Sequence, residues 1–276
     1  MKSRASKYLV IAIGLLFVLS VFGASGAQRR TRGKVKTDPA PQAKVDCAES
    51  NEGVDATVAL ARLIQGNIDW QQSRMADRNW PNERQRTRCA QHPFAVVVSC
   101  MDSRVPPELI FDQGVGDIFV IRVAGPVLDN DQLASLEYAL INIGVRLVVV
   151  LGHTDCGAVK GAVARVPNNR PNTRPFLPFL PALPALLAKL EPAIMEVSAR
   201  YTPGRRITSD EKAHIDRVAF HNARRMRDYI AFRPNLRVLP GLQVKWGLYY
   251  TGSGRVAIDP TELEQGYQPC PPQQCK

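Results

Sequence analysis

The sequence predicts an α/β fold, a mostly parallel β-sheet flanked by helices, with a hairpin at the sheet edge near the C-terminus. Three observations predict it. Short unbroken apolar runs recur at 94–98, 117–122 and 147–151, as buried parallel strands require. A stretch with helical spacing separates the second run from the third. Thr251-Gly-Ser-Gly254 joins two further β-like runs as a hairpin turn would.

Taken in order, the folded region begins near Asp55, where Ala56, Leu60, Leu63 and Ile64 repeat at helical spacing. Phe94–Val98 and Asp117–Arg122 are the first two strands. Asn130 or Asp131 is the expected cap of the next helix, which turns Leu133, Leu136, Leu140 and Ile143 to one side and ends at Gly144. Leu147–Leu151 is the third strand. Strands alternating with helices argue for parallel pairing. Residues 167–184 are proline-rich and read as an irregular excursion before a helix starting near Pro184. Glu211–Ile230 is an Arg-rich helix, and Val244–Tyr250 with Arg255–Ile258 forms the edge hairpin.

The chain has 276 residues, 36 Lys+Arg against 25 Asp+Glu, and 45% apolar residues, which is the composition of a globular protein. A core of this size buries roughly 75% of the unfolded surface, so no staple is needed for stability. Lys2, Arg4 and Lys7 precede an apolar run from Tyr8 to Phe22, and small residues close it at 23–27. That is the layout of a secretory signal peptide over residues 1–27, and the run is short for a membrane span. The expected location is therefore periplasmic or secreted, with membrane contact only if the leader stays uncleaved. Residues 28–50 read as a basic, proline-containing linker, 51–262 as the catalytic domain and 263–276 as a Pro/Cys-containing tail. Much of the net charge of +11 sits at Arg29, Arg30, Arg32, Lys34 and Lys36. It is read as a solvated stretch; no nucleic-acid module accompanies it.

Two strand ends carry the chemistry. The first strand runs into Ser99-Cys-Met-Asp-Ser-Arg104 and the third into Gly152-His-Thr-Asp-Cys-Gly157. In parallel sheets functional groups gather beyond the carboxyl ends of strands, so both segments project from one edge. Cys100, His153 and Cys156 then offer two thiolates and an imidazole, a set suited to tetrahedral zinc with Zn–S near about 2.3 Å. Three ligands leave a fourth position for water or for a carboxylate. Asp102 is close enough to be a fourth metal ligand. A carboxylate paired with Arg104 stays ionised and can equally be held off the metal. A structural zinc knuckle would supply four ligands in two close pairs, which this spacing does not.

Cys-Met-Asp-Ser-Arg104 with Val-Pro-Pro-Glu-Leu-Ile-Phe-Asp-Gln113, Gly-Asp-Ile-Phe-Val-Ile-Arg-Val-Ala-Gly125, Ser-Leu-Glu-Tyr138 and Gly-His-Thr-Asp-Cys-Gly-Ala-Val-Lys160 closely resembles the β-class carbonic anhydrases. The resemblance covers about residues 55–260 and is dense from His92 to Val163. It implies a lyase (carbonate dehydratase) that reversibly hydrates carbon dioxide to bicarbonate and a proton through hydroxide on one zinc ion per subunit. By that resemblance Cys100, His153 and Cys156 are the metal ligands, and Asp102 and Arg104 form a catalytic dyad in which the acid orients the hydroxide. Gln91 is implied to lie near substrate, and Phe119 and Tyr138 to wall the CO2 pocket. Val105 is expected beside them. The family's active sites lie at a dimer interface, so a homodimer or higher homo-oligomer is expected. Pro126 departs from the family's usual Asn and removes a backbone donor.

Two thiolates cancel the charge of the ion, so its bound water should be less acidic than about 7, and hydration should be faster at alkaline pH. The alternatives are a related zinc hydrolase acting on COS or CS2, which are also linear electrophiles, and a non-catalytic zinc-binding protein on the same fold. His92 and His221 are candidate proton shuttles only because imidazole titrates in range. Asp155 is read as structural and Lys160 as solvent-facing. Cys47, Cys89, Cys270 and Cys275 can form up to two disulfides in three pairings, and Cys89 is alternatively read as buried and inert.

Overall fold

A computed structural model of the chain describes residues 53–165, 182–205 and 207–260. The leader, the linker, the tail, most of the proline-rich stretch, and Cys47, Cys270 and Cys275 lie outside the described residues. No helix among those described is long and apolar enough to cross a membrane.

The described elements, in chain order, are α1 (Ala56–Gln71), α2 (Trp80–Arg86), β1 (Ala95–Ser99), α3 (Pro107–Ile110), β2 (Ile118–Arg122), α4 (Asn130–Glu137) continued by a π-helical turn (Tyr138–Asn142), β3 (Leu147–His153), α5 (Gly157–Arg165), α6 (Ala182–Ala188), α7 (Glu191–Tyr201), α8 (Lys212–Ala231), β4 (Gln243–Tyr249) and β5 (Val256–Ile258). The sheet order is β2-β1-β3-β4-β5. The first four strands pair in parallel, and β5 returns antiparallel to β4. The expected fold class and edge hairpin are both present.

Alternation along the strands divides the core between the two faces of the sheet. Val96, Val98, Val148 and Val150 join a cluster with Ile194, Val218, Ala219 and Ala223, which belong to α7 and α8. Ala95, Val97, Leu147, Val149 and Leu151 pack instead with Ala56, Leu63 and Phe111 from α1 and the end of α3. Burial on both faces explains why β1 and β3 read as unbroken apolar runs rather than as alternating ones.

Local signals set the helix ends. Asp55 caps α1 by accepting from Thr57 N at 2.8 Å and Val58 N at 3.3 Å. Buried Asn67 ties that helix to the rest: its Nδ2 donates to Ile110 O (3.1 Å) and Gly254 O (2.9 Å), and its Oδ1 accepts from Val256 N (2.8 Å). At α4 the cap is Asp129, not Asn130 or Asp131. Gln132 Oε1 accepts the Asp129 N–H at 3.0 Å, the reciprocal half of a capping box. The helix widens into the π turn before Gly144, at φ 85°, ends it. β3 runs two residues past the predicted Leu151, so His153 is the last residue of the strand.

Candidate metal centre

Parallel pairing of β1 with β3 brings the two motif-bearing segments to the same carboxyl edge, as expected. Cys100 follows β1, His153 ends β3, and Cys156 precedes α5. Their ligand atoms lie within 4.8 Å of one another, and all three residues are buried. His153 Nδ1 is 2.9 Å from Thr154 O. A carbonyl only accepts, so Nδ1 carries the hydrogen and Nε2 bears the lone pair. That Nε2 is buried with no hydrogen-bond partner. A buried orphan nitrogen beside two sulfurs is costly unless an electrophile takes its lone pair, so the donor set fits a soft or borderline cation such as zinc.

The two thiols differ in state. Cys100 is pulled down to about 4, first by its hydrogen bond with Cys156, with help from His153 and from the Gly125 N–H at 3.4 Å, against the opposing effect of burial. Cys156 is pushed up, because its neighbour already holds the negative charge and because it is buried; the N–H groups of Ala158 and Val159 at the start of α5 oppose this. Binding a divalent cation would favour the thiolate form of both cysteines.

Asp102 lies beside the cluster and outside it. Arg104 donates to Asp102 Oδ1 from its backbone N (3.0 Å) and Nε (2.9 Å), and to Oδ2 from Nη2 (2.8 Å). This pairing with Arg104 pulls the carboxyl down to about 2, against partial burial. Of the two expected arrangements, this geometry is the one in which Asp102 is held by Arg104. Its carboxylate is not among the converging donor groups, because the guanidinium fork holds both of its oxygens.

Arg104 also spans the two segments, donating to Asp155 Oδ2 (3.3 Å) and Asp155 O (3.2 Å). Lys160 pairs with the same carboxylate, so it is not simply solvent-facing. Burial alone would raise the Asp155 carboxyl; Lys160 and Arg104 outweigh it and leave it lowered. Asp155 sits at φ 60°, a left-handed conformation that Asp tolerates better than most residues. Arg122, not singled out in the sequence, holds the first segment by donating to Cys100 O (3.0 Å) and Asp102 O (2.5 Å).

The residues expected around substrate lie on separate elements of the chain. Gln91 precedes β1, at the amino edge of the sheet, whereas Cys100 follows its carboxyl end. Phe119 and Tyr138 line a groove of about 610 Å³ between β2 and α4, and none of the three candidate ligands borders it. Val105 is fully buried in the core cluster that includes Ala56 and Leu63 of α1. His221 is a core histidine: its Nδ1 is 2.9 Å from Glu196 Oε1, and burial lowers its pKa. His92 is exposed. Cys89 is exposed and disulfide-bonded, in line with the disulfide reading and against the buried, inert alternative, while Cys100 and Cys156 are free thiols.

Fold and site together define an α/β protein with a Cys₂His group that could hold a metal at the carboxyl edge of its sheet and an Asp–Arg couple beside it. The family model described as carbonic anhydrase matches residues 95–232, half of the chain. Carbonic anhydrase from Mycolicibacterium smegmatis is 57% identical over 75 residues, covering 27% of this chain and 36% of that protein. Carbonic anhydrase 2 from Mycobacterium tuberculosis strain H37Rv is 55% identical over 76 residues, covering 28% and 37%. The match thus spans little more than a third of the length of these relatives. The solved β-carbonic anhydrase CcaA superposes with a TM-score of 0.55 at 25% identity, covering 72% of this chain and 94% of that one. Tetrameric β-carbonic anhydrases from Sordaria macrospora share the fold, with a TM-score of 0.52 at 22% identity and coverage of 74% and 94%. The chain belongs to the carbonic anhydrase family, in its β class.

Proposed function

We propose that this protein reversibly hydrates carbon dioxide to bicarbonate and a proton, with one zinc ion per subunit held by Cys100, His153 and Cys156. The observation that carries this reading is the convergence of two sulfurs and the orphaned His153 Nε2 beside an ionised Asp102. Zinc there supplies a Lewis acid that makes hydroxide available from water, less readily with two thiolates than with three imidazoles.

The chain's own residues do the rest. A carboxylate has about four lone-pair sites. Arg104 fills two on Asp102 Oδ1 and one on Oδ2. The remaining site on Oδ2 accepts the hydrogen of the attacking nucleophile and so turns its free lone pair toward carbon. Because Arg104 holds the carboxyl far below neutral pH, Asp102 stays an acceptor throughout and does not become protonated. Asp155 and Lys160 keep the guanidinium from swinging away.

Gln91, Phe119 and Tyr138 act, in this reading, from a partner subunit of a homodimer. Support comes from β2, which is the sheet's edge strand, from Tyr138, which lines a groove with β2 and is 53% exposed, and from Ile141 in the same π-helical turn, 56% exposed. An exported location is supported by the leader-like residues 1–27 and by the disulfide at Cys89, a bond of oxidising compartments.

The test is stopped-flow CO2 hydration against pH on protein of measured zinc content. Rates should scale with zinc and rise toward alkaline pH. Full zinc loading without hydration would overturn the reading and redirect the search to COS, CS2 or a binding role.

A further inference from the structure

We propose that Asp216 and Asn222 of α8 are positioning residues for the metal centre: from one face of that helix they hold the His153–Cys156 turn and the Gly125 loop that faces Cys100 at their working separation. The proposal rests on reading Cys100, His153 and Cys156 as the metal ligands. Neither residue stands in a motif of the chemistry-bearing segments, and neither touches a candidate ligand side chain in any contact described above.

Asp216 is buried, 1% exposed, and its Oδ1 accepts the Asp155 N–H at 2.6 Å. Asp155 lies between His153 and Cys156 in the left-handed conformation, so this bond anchors the turn at its most restrictive residue. Asn222 is equally buried, and its Nδ2 donates to Gly125 O at 2.7 Å. Gly125 in turn donates its N–H to Cys100 Sγ. One residue therefore clamps the His153–Cys156 turn, and the other clamps the loop whose amide faces Cys100.

Ala219 and Ala223 lie between them on the helix face, and the packing there is close. A Cβ on Gly152, the residue before His153, would meet Ala219 O at 2.9 Å and Ala223 Cβ at 3.3 Å. The helix thus lies directly against the last turn of β3, close enough for two short polar side chains to reach both segments. Asn222 Oδ1 is buried without a partner among the described residues, a cost that plain packing would not justify. Its donor is what the site uses.

Hydrogen bonds behind metal ligands typically set affinity by about 10-fold to 100-fold. The experiment uses the full-length protein, with zinc affinity measured by chelator competition and the cobalt-substituted protein recorded in the visible range. Asp216→Ala, Asp216→Asn and Asn222→Asp are compared with wild type and with Ile230→Val. That last change trims a buried side chain at the far end of the same helix. Asp216→Ala and Asn222→Asp should each weaken zinc binding about 10-fold or more and shift the cobalt spectrum. Asp216→Asn keeps an acceptor oxygen and should recover most of the loss. Ile230→Val should lower the melting temperature without changing either readout. If Asp216→Ala does not fold, Asn222→Asp, which preserves volume, carries the test. Affinity and spectra of Asn222→Asp and of any folded Asp216 variant that match Ile230→Val would overturn the proposal while leaving the metal centre intact. Wild-type protein that binds no zinc would overturn the metal-centre reading, and this proposal with it.

Discussion

Asp102 shows most plainly how one side chain's surroundings decide its role. Three N–H groups of Arg104 hold it ionised and outside the Cys₂His group. Asp102→Asn should therefore lower CO2 hydration about 100-fold or more while leaving zinc content unchanged, as judged by stopped flow and metal analysis on the same sample. Glu211 is a second case, without a role in chemistry. It accepts from Arg205 at 2.8 Å and from Thr208 N at 3.1 Å, and Arg205 holds its carboxyl down at about 2. A carboxyl lowered in the folded state stabilises above its unfolded pKa, near about 4.3, and that contribution disappears as pH falls toward 2. Glu211→Gln should cost about 1 kcal/mol or less at pH 7, since Arg205 is largely exposed, and the difference from wild type should vanish in acid melts below pH 2. The ligand residues and the Asp102–Arg104 couple were legible because their spacing is a motif. Arg122, Asp216 and Asn222 were not, because each acts on a backbone group remote in sequence. For Asp216 and Asn222 the available signal was a polar residue on the apolar side of a helix.

Among the elements, the strands and helices follow the apolar pattern closely, and the errors are at their ends. β3 continues through Gly152 because parallel pairing with β4 carries the ladder on, with His153 opposite Tyr249. The cap of α4 moved to Asp129 because Gln132 lies three residues later, a relation easily overlooked beside two other capping residues. Close helix–strand contacts leave no room for growth. A Cβ at Gly66 would fall 1.7 Å from Phe111 O, where α1 crosses the end of α3. Gly66→Ala should therefore destabilise by about 1–3 kcal/mol or more, although alanine ordinarily favours a helix interior. Urea denaturation of the two proteins side by side checks it; equal midpoints would contradict the contact.

At the scale of the whole molecule, metal and partner are each expected to complete what one chain begins. Zinc at about a thousand times its dissociation constant should add about 4 kcal/mol to the folded state, seen as a melting temperature that falls on chelation and recovers on re-addition. Ile141→Glu places a charge on an exposed apolar side chain of the π-helical turn that carries Tyr138. It should shift sedimentation velocity toward monomer and remove hydration while zinc remains bound; an active monomer would refute the shared pocket. By itself the sequence determined the α/β class, the order of strands and helices, and which residues form the Cys₂His cluster with its Asp–Arg neighbour. These are local properties, set by apolar period and by motifs a few residues long. Only the tertiary structure decided that Asp102 stands off the cluster, that Val105 belongs to the core, and that Phe119 and Tyr138 line a groove away from their own chain's cluster. Only it showed that α8 bonds the Asp155 turn through Asp216 and the Gly125 loop through Asn222. Those outcomes depend on which distant backbone groups compete for the same side chain and on the direction in which each strand presents its neighbours, and spacing along one chain does not encode either.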